Sequence, residues 1–194
     1  PASVVQDLHI HTTFSTGDDS VVPEQTVEFI AQFRHAEILG ISDHLKYISG
    51  NNFTEYKNTL RAHDFYVGTE VDGAKEAGSA AELDLDYYIY HCRDKTEDYR
   101  GAEKLLLTEK PVIIAHPLKL QTDLNRVPSS CLIEINNRYI WRSNWRTELA
   151  PFRSRFGFVI SSDAHQPHWL NQTIARHVAL ELRIKEALLF PLTV

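Results

Sequence analysis

Hydrophobic and polar positions follow each other along the chain in a rhythm without internal repeats. Seven short runs rich in β-branched, aromatic and aliphatic residues fall at 4–10 (VVQDLHI), 38–42 (ILGIS), 65–71 (FYVGTEV), 86–91 (DYYIYH), 112–116 (VIIAH), 131–136 (CLIEIN) and 157–162 (GFVISS). Each has the length and composition of a strand. Longer segments between them carry helical patterns at 23–35, 55–63, 97–109 and 145–154, and 182–190 reads as a closing helix ended by Pro191. In the first of these, Pro23 and Glu24 suit a helix N-terminus, and Val27, Ile30 and Ala31 share one face. Strand and helix in turn predict a parallel sheet with helices outside it, either an open doubly wound sheet or a barrel.

The polar residues favour the barrel. Every run ends with a group that can ligate a metal: His9 and His11, Asp43 and His44, Glu70, His91, His116, Glu134, and Asp163 with His165. Sites of (β/α) barrels gather at the C-terminal ends of the strands, whereas an open sheet would spread these ends along a line. In Asp7-Leu8-His9-Ile10-His11 the polar residues are two apart, so a strand would turn all three to one face. The same offset recurs in Glu134-Ile135-Asn136 and Asp163-Ala164-His165. Imidazole and carboxylate together suit Zn, Mn or Fe, and so many ligands exceed what one tetrahedral zinc takes. Two or three divalent ions are expected. Glu134, with Asn136, is expected to orient a ligand instead of binding an ion.

Composition narrows the partners. The 194 residues are 43% hydrophobic and 24% charged, which suits one folded domain over 1–194. The net charge of −6 speaks against an extended basic surface for nucleic acid or anionic lipid, although a local cationic pocket is compatible with it. No apolar stretch is long enough to span a membrane, and the first residues lack the regions of a signal peptide, so a cytoplasmic location is expected. Cys92 and Cys131 form no paired motif, and Cys92 should point away from the His91 side as a buried thiol. Ten histidines stand out, while methionine is absent, so that one omitted within a helix would shift its spacing. His35, His63, His168 and His177 lie off the strand ends and read as surface or helix residues, with His168 near enough to touch a substrate. Lys46, Lys119, Arg126 and Arg138 all follow strand ends and are the candidate substrate cations. The arginines lead because guanidinium pairs bidentately with phosphate oxygens.

The stretches DLHIHTTFS (7–15), ISDH (41–44), GTEVD (68–72), His91, AHP (115–117), EIN (134–136) and SSDAH (161–165) resemble, in that order, the motifs of the polymerase and histidinol phosphatase (PHP) family. The resemblance implies a distorted seven-stranded (β/α) barrel of TIM-like type, a two- or three-metal centre and phosphoester hydrolysis. Carried over by motif, His9, His11, Glu70 and Asp163 would hold one ion, Glu70, His91 and His116 a second, and His44 and His165 a third. His9, His11, Glu70 and Asp163 would then be the residues on which catalysis depends. Two departures matter. The stretch after HxHT reads Ser15-Thr16-Gly17-Asp18-Asp19, leaving Asp18 as the substitute ligand of the third ion, and the fourth motif reads Tyr-Ile-Tyr-His-Cys.

The resemblance implies a free-standing hydrolase in which metal-bound hydroxide attacks a phosphomonoester or phosphodiester, the substrate being a small phosphorylated molecule or a short nucleotide. An amidohydrolase-type metallohydrolase is the alternative, weakened by the lack of a matching lysine. A noncatalytic metal-binding domain is the other.

Overall fold

In the computed structural model, which describes residues 4–192, each of the seven runs contains a strand. These are β1 (Val4–Asp7), β2 (Ala36–Ile41), β3 (Tyr66–Asp72), β4 (Tyr87–His91), β5 (Val112–Ile114), β6 (Leu132–Asn136) and β7 (Gly157–Ser161). They run parallel in chain order and curl into a nearly closed barrel. Interleaved with them are α1 (Val27–Phe33), α2 (Leu45–Ile48), α3 (Phe53–Ala62), α4 (Ala74–Ala81), α5 (Thr96–Leu106), α6 (Trp145–Glu148) and α7 (Thr173–Glu181).

Alternation along the strands sorts apolar side chains into two layers. Leu8, Ile38, Tyr87, Ile89, Ile113, Ala115 and Val159 pack together inside the barrel. Their strand neighbours, among them Ile41, Val67, Tyr88, Tyr90, Ile114, Ile133 and Ile160, face the helices. Tyr87 crosses the centre, donating from its hydroxyl to Leu8 O at 2.5 Å. Its ring lies where a Cβ on Gly40 or Gly68 would stand, at 2.4 and 2.3 Å, so both positions need glycine.

Several expectations are corrected. Segment 182–190 is not a helix. The last helix is α7, upstream, and after it Arg183 takes a left-handed φ of 56°. The chain then crosses the bottom of the barrel, where the Gln6 amide bonds Ala187 O at 3.0 Å and Leu189 N at 2.9 Å. Phe190 stacks on Tyr66 at 3.9 Å, so the apolar residues that resembled a helix face serve as a plug. The first helix starts at Val27 rather than near Pro23, because Thr26 is the N-cap, accepting from Phe29 N. Segment 145–154 splits into α6 and a 3-10 turn, Ala150–Phe152, at Pro151. Finally, β1 ends at Asp7, and Asp7 leaves the face of His9 and His11 to bond His35 and Ser162 instead.

Closure is incomplete in one place. β7 and β1 share no ladder, and the segments that follow them meet in a single bridge, Ile10 to Ala164. Among the described residues, no helix is long and apolar enough to cross a membrane.

Candidate metal centre

The ionisable residues converge at the C-terminal mouth of the barrel, above the apolar interior layer. Two sets have ligand atoms within 4.8 Å of one another: His9, His11, Glu70 and Asp163, and His11, Asp18, His44 and His165. Either set is able to hold a metal ion, and His11 belongs to both.

The inner set is buried, with no side chain more than 5% exposed. His9 Nδ1 lies 2.6 Å from Glu134 Oε2. A carboxylate only accepts, so Nδ1 carries a proton and Nε2 is the atom aimed into the cluster, able to ligate once any proton of its own is displaced. There Nε2 lies 2.7 Å from Glu70 Oε2, 3.2 Å from His11 Nε2 and 3.2 Å from Asp163 Oδ1. Asp163 Oδ1 is buried without a hydrogen bond although two imidazole nitrogens stand at 3.2 and 3.5 Å. Asp163 Oδ1 and the two nitrogens converge without aligning toward one another, while Glu70 Oε2 stands within hydrogen-bond distance of both imidazoles, 3.0 Å from His11 Nε2. Lone pairs so placed repel unless a cation or shared protons stand between them, and a divalent ion meets that requirement with the donor types present.

The outer set stands closer to solvent. Asp18 Oδ2 lies 2.8 Å from His44 Nε2 and 3.2 Å from His165 Nε2. His165 Nδ1 donates to Asp163 O at 2.9 Å, which directs Nε2 toward Asp18. Asp18 sits in a turn fixed by Asp43. Fully buried, Asp43 accepts from Thr12 N, Thr12 Oγ1 and Ser15 Oγ at 2.6–2.7 Å, so it ties the loop instead of joining a ligand set. Asp163 and His116 both have positive φ, 54° and 21°, strained conformations at residues facing the centre.

Charge balance explains the protonation pattern. Burial would lower His9 and His11, but the facing carboxylates, Asp163 and Glu134 for His9 and Glu70 for His11, raise both. His44, also opposed by burial, is pushed up to about 10 by Asp18 and Glu70. Burial would raise Glu70 and Asp163, yet the surrounding imidazoles hold both well below the usual carboxylate range. In contrast, burial and the adjacent His91 lower His116 to about 4, and burial and His11 lower His165. His116 and His165 are therefore neutral near pH 7, the form that ligates a metal.

His91 and His116 stand beside these two sets. His91 Nε2 is 3.0 Å from Glu70 Oε1, the two rings are 4.8 Å apart, and His116 Nδ1 is buried without a partner. Glu134 and Asn136 behave as positioning groups. Glu134 Oε1 accepts from His116 N at 2.8 Å, and Asn136 Nδ2 donates to Glu134 Oε1 and to Asp163 Oδ2 at 2.8 and 3.0 Å.

The four candidate substrate cations separate. Arg138 reaches the site, with Nη1 3.4 Å from the His165 ring and its guanidinium over Tyr139 and Trp169 at 5.0 and 5.1 Å. Lys119 lies over the other approach to Tyr139, at 5.3 Å, beside His116. Lys46 lines a cleft of about 270 Å³ with His44, Glu70 and His91. Arg126 lies elsewhere, stacked on Tyr99 and paired with Asp94 at 3.3 Å.

Sequence reasoning missed Arg93, which lines the cleft beside Lys46, and the ring of Trp169. Arg93 directly follows the His91-Cys92 pair, a position that could have flagged it. Cys92 is buried in the outer layer and pushed up to about 12 by burial, so it offers no thiolate.

No family model matches the chain, and no curated protein matches it.

Proposed function

We propose that the chain is a metal-dependent phosphoesterase of the PHP type, acting on a small phosphorylated substrate. The observation that carries this reading is the juxtaposition of two cation sets sharing His11 with the guanidinium of Arg138 beside His165. His9, His11, Glu70 and Asp163 would hold one divalent ion, and Asp18, His44 and His165, with His11, another. Glu70 also faces His91, and with His116 these would be the ligands of a third. Ions so held would supply a water ionised near neutral pH and positive charge to stabilise an in-line displacement at phosphorus.

The chain's own groups account for the rest. Glu134 holds His9 by Nδ1 so that Nε2 faces the centre, and Asn136 holds both Glu134 and Asp163 in place. Arg138, steadied by two aromatic faces, binds a phosphate oxygen. Lys119 and Lys46 flank the two approaches and add cationic charge there. Tyr139 and Trp169 stand at the mouth, their rings 5.1 Å from His116 and 6.0 Å from His165. None of the seven strands carries a lysine, which favours phosphoester chemistry over an amidohydrolase-type centre.

The test is hydrolysis of an aryl phosphomonoester and an aryl phosphodiester by protein loaded with Mn²⁺ or Zn²⁺. Metal-dependent release, lost in Asp163→Ala and reduced on the order of 10²-fold or more in Arg138→Ala, is the expected result. Hydrolysis of amides or lactones but neither phosphoester would replace the reading with the amidohydrolase one. Tight metal binding with no hydrolysis of either class would point to a binding domain.

A further inference from the structure

The seam between β7 and β1 runs directly beneath the inner ligand set, and it is held largely by side chains. Gln172 Nε2, on a residue 1% exposed, donates to Gln6 O on β1 at 2.8 Å and to Ile160 O on β7 at 3.0 Å. One amide thus spans two carbonyls that a ladder would otherwise satisfy. One step up, Asp7 Oδ1 accepts from Ser162 N at 3.1 Å. One step further, His11 N donates to Ala164 O at 2.9 Å. Asp163 therefore sits between two fastenings to the first strand segment, one on the residue before it and one on the residue after it. It does so with the left-handed φ of 54°, a conformation that persists only where its surroundings impose it.

Asp7 is fastened in turn. Its Oδ2 lies 2.8 Å from His35 Nε2, and neither side chain is more than 6% exposed. His35 is outside both cation sets, reaching Asp7 from the connection between α1 and β2.

We infer that Asp7, oriented by His35, is a positioning residue that sets Asp163 against His9 and His11 across the barrel seam. This rests on the metal-centre reading and extends it to a pair that touches no ligand set. The His35 imidazole fixes the Asp7 carboxylate, the carboxylate fixes the Ser162 amide, and the amide sets where the Asp163 side chain begins. The inner set takes ligands from both sides of the seam, whereas His91 and His116 lie on β4 and just after β5, away from it. The pair therefore acts on one group of ligands and not on the other.

The experiment is a Zn²⁺ titration of the full chain followed by imidazole ¹H–¹⁵N correlation spectra, which report each histidine ring separately. In Asp7→Ala the midpoints for His9 and His11 should move to roughly 10–100-fold higher Zn²⁺, the usual cost of losing a group that orients a ligand. The midpoints for His91 and His116 should stay. Asp7→Asn, which keeps an acceptor for Ser162 N, should restore the His9 and His11 midpoints. Unchanged His9 and His11 midpoints in Asp7→Ala, or an equal shift of all four rings, would overturn the positioning role. If Asp7→Ala does not fold, His35→Ala carries the same criterion. Wild-type rings of His9 and His11 that never respond to Zn²⁺ would instead overturn the metal centre itself.

Discussion

The inner and outer cation sets share His11 but are supported in different ways. The inner one is assembled from residues in or directly following β1, β3 and β7, behind side chains with almost no exposure, and Glu134 and Asn136 brace it from β6. The outer one depends on Asp18 in a surface turn and on His44, whose side chain is 27% exposed. Desolvated charges interact strongly and hold their geometry, while exposed ones are screened and cheaper to separate. An ion in the inner set should therefore be retained, and one in the outer set should exchange.

The widest separation between the sets should come from deleting a ligand unique to each. His9→Ala should remove the inner ion and all metal-dependent turnover. His165→Ala should remove only the outer ion, as elemental analysis after buffer exchange would record. Equal metal loss in both variants would erase the distinction. Next in size is Glu134→Gln, which leaves the ligands in place but weakens the group orienting His9, so the inner affinity should fall about 10–100-fold in chelator competition. A smaller effect is expected of Asp18→Asn, about tenfold on the outer ion with the inner one unmoved.

The smallest effect is one of pH. In metal-free protein, His44 titrates at about 10 against 6.5 when unfolded. Its contribution to stability is complete below 6.5 and is lost as pH rises through about 10. His9 and His11, also raised, act in the same sense, while His116 and His165, being lowered, titrate below this window. The melting temperature of metal-free protein should thus fall across this range. With Zn²⁺ in place of the protons the fall should be shallower, and equal slopes would contradict the exchange of proton for metal.

Sequence and structure agree best where periodicity and chemistry coincide. The strands were legible because each is a short β-branched or aromatic run, and their terminal ligands because a strand end gives a side chain one direction. Asp18 could be named as a candidate, but its place between His44 and His165 follows from the Asp43 hydrogen bonds, which connect positions far apart in the chain. Asp7 illustrates the opposite failure. A two-residue offset put it with His9 and His11, but β1 ends there and the offset no longer governs direction. Segment 182–190 has helix-like apolar spacing, yet its burial partner is the open bottom of the barrel and its hydrogen bonds go to Gln6. Arg126 and Arg138 are equivalent by chain position, and only the fold sends one to Asp94 and the other to His165.

The central claim is that these side chains form a metal centre with a firmly held inner ion. Anomalous diffraction at the zinc edge, from crystals of Zn²⁺-loaded and then briefly chelated protein, tests it most directly. A peak among His9, His11, Glu70 and Asp163 that survives chelation, with a weaker or vanished one among Asp18, His44 and His165, is the expected result. Absence of any peak at the inner set would contradict the account.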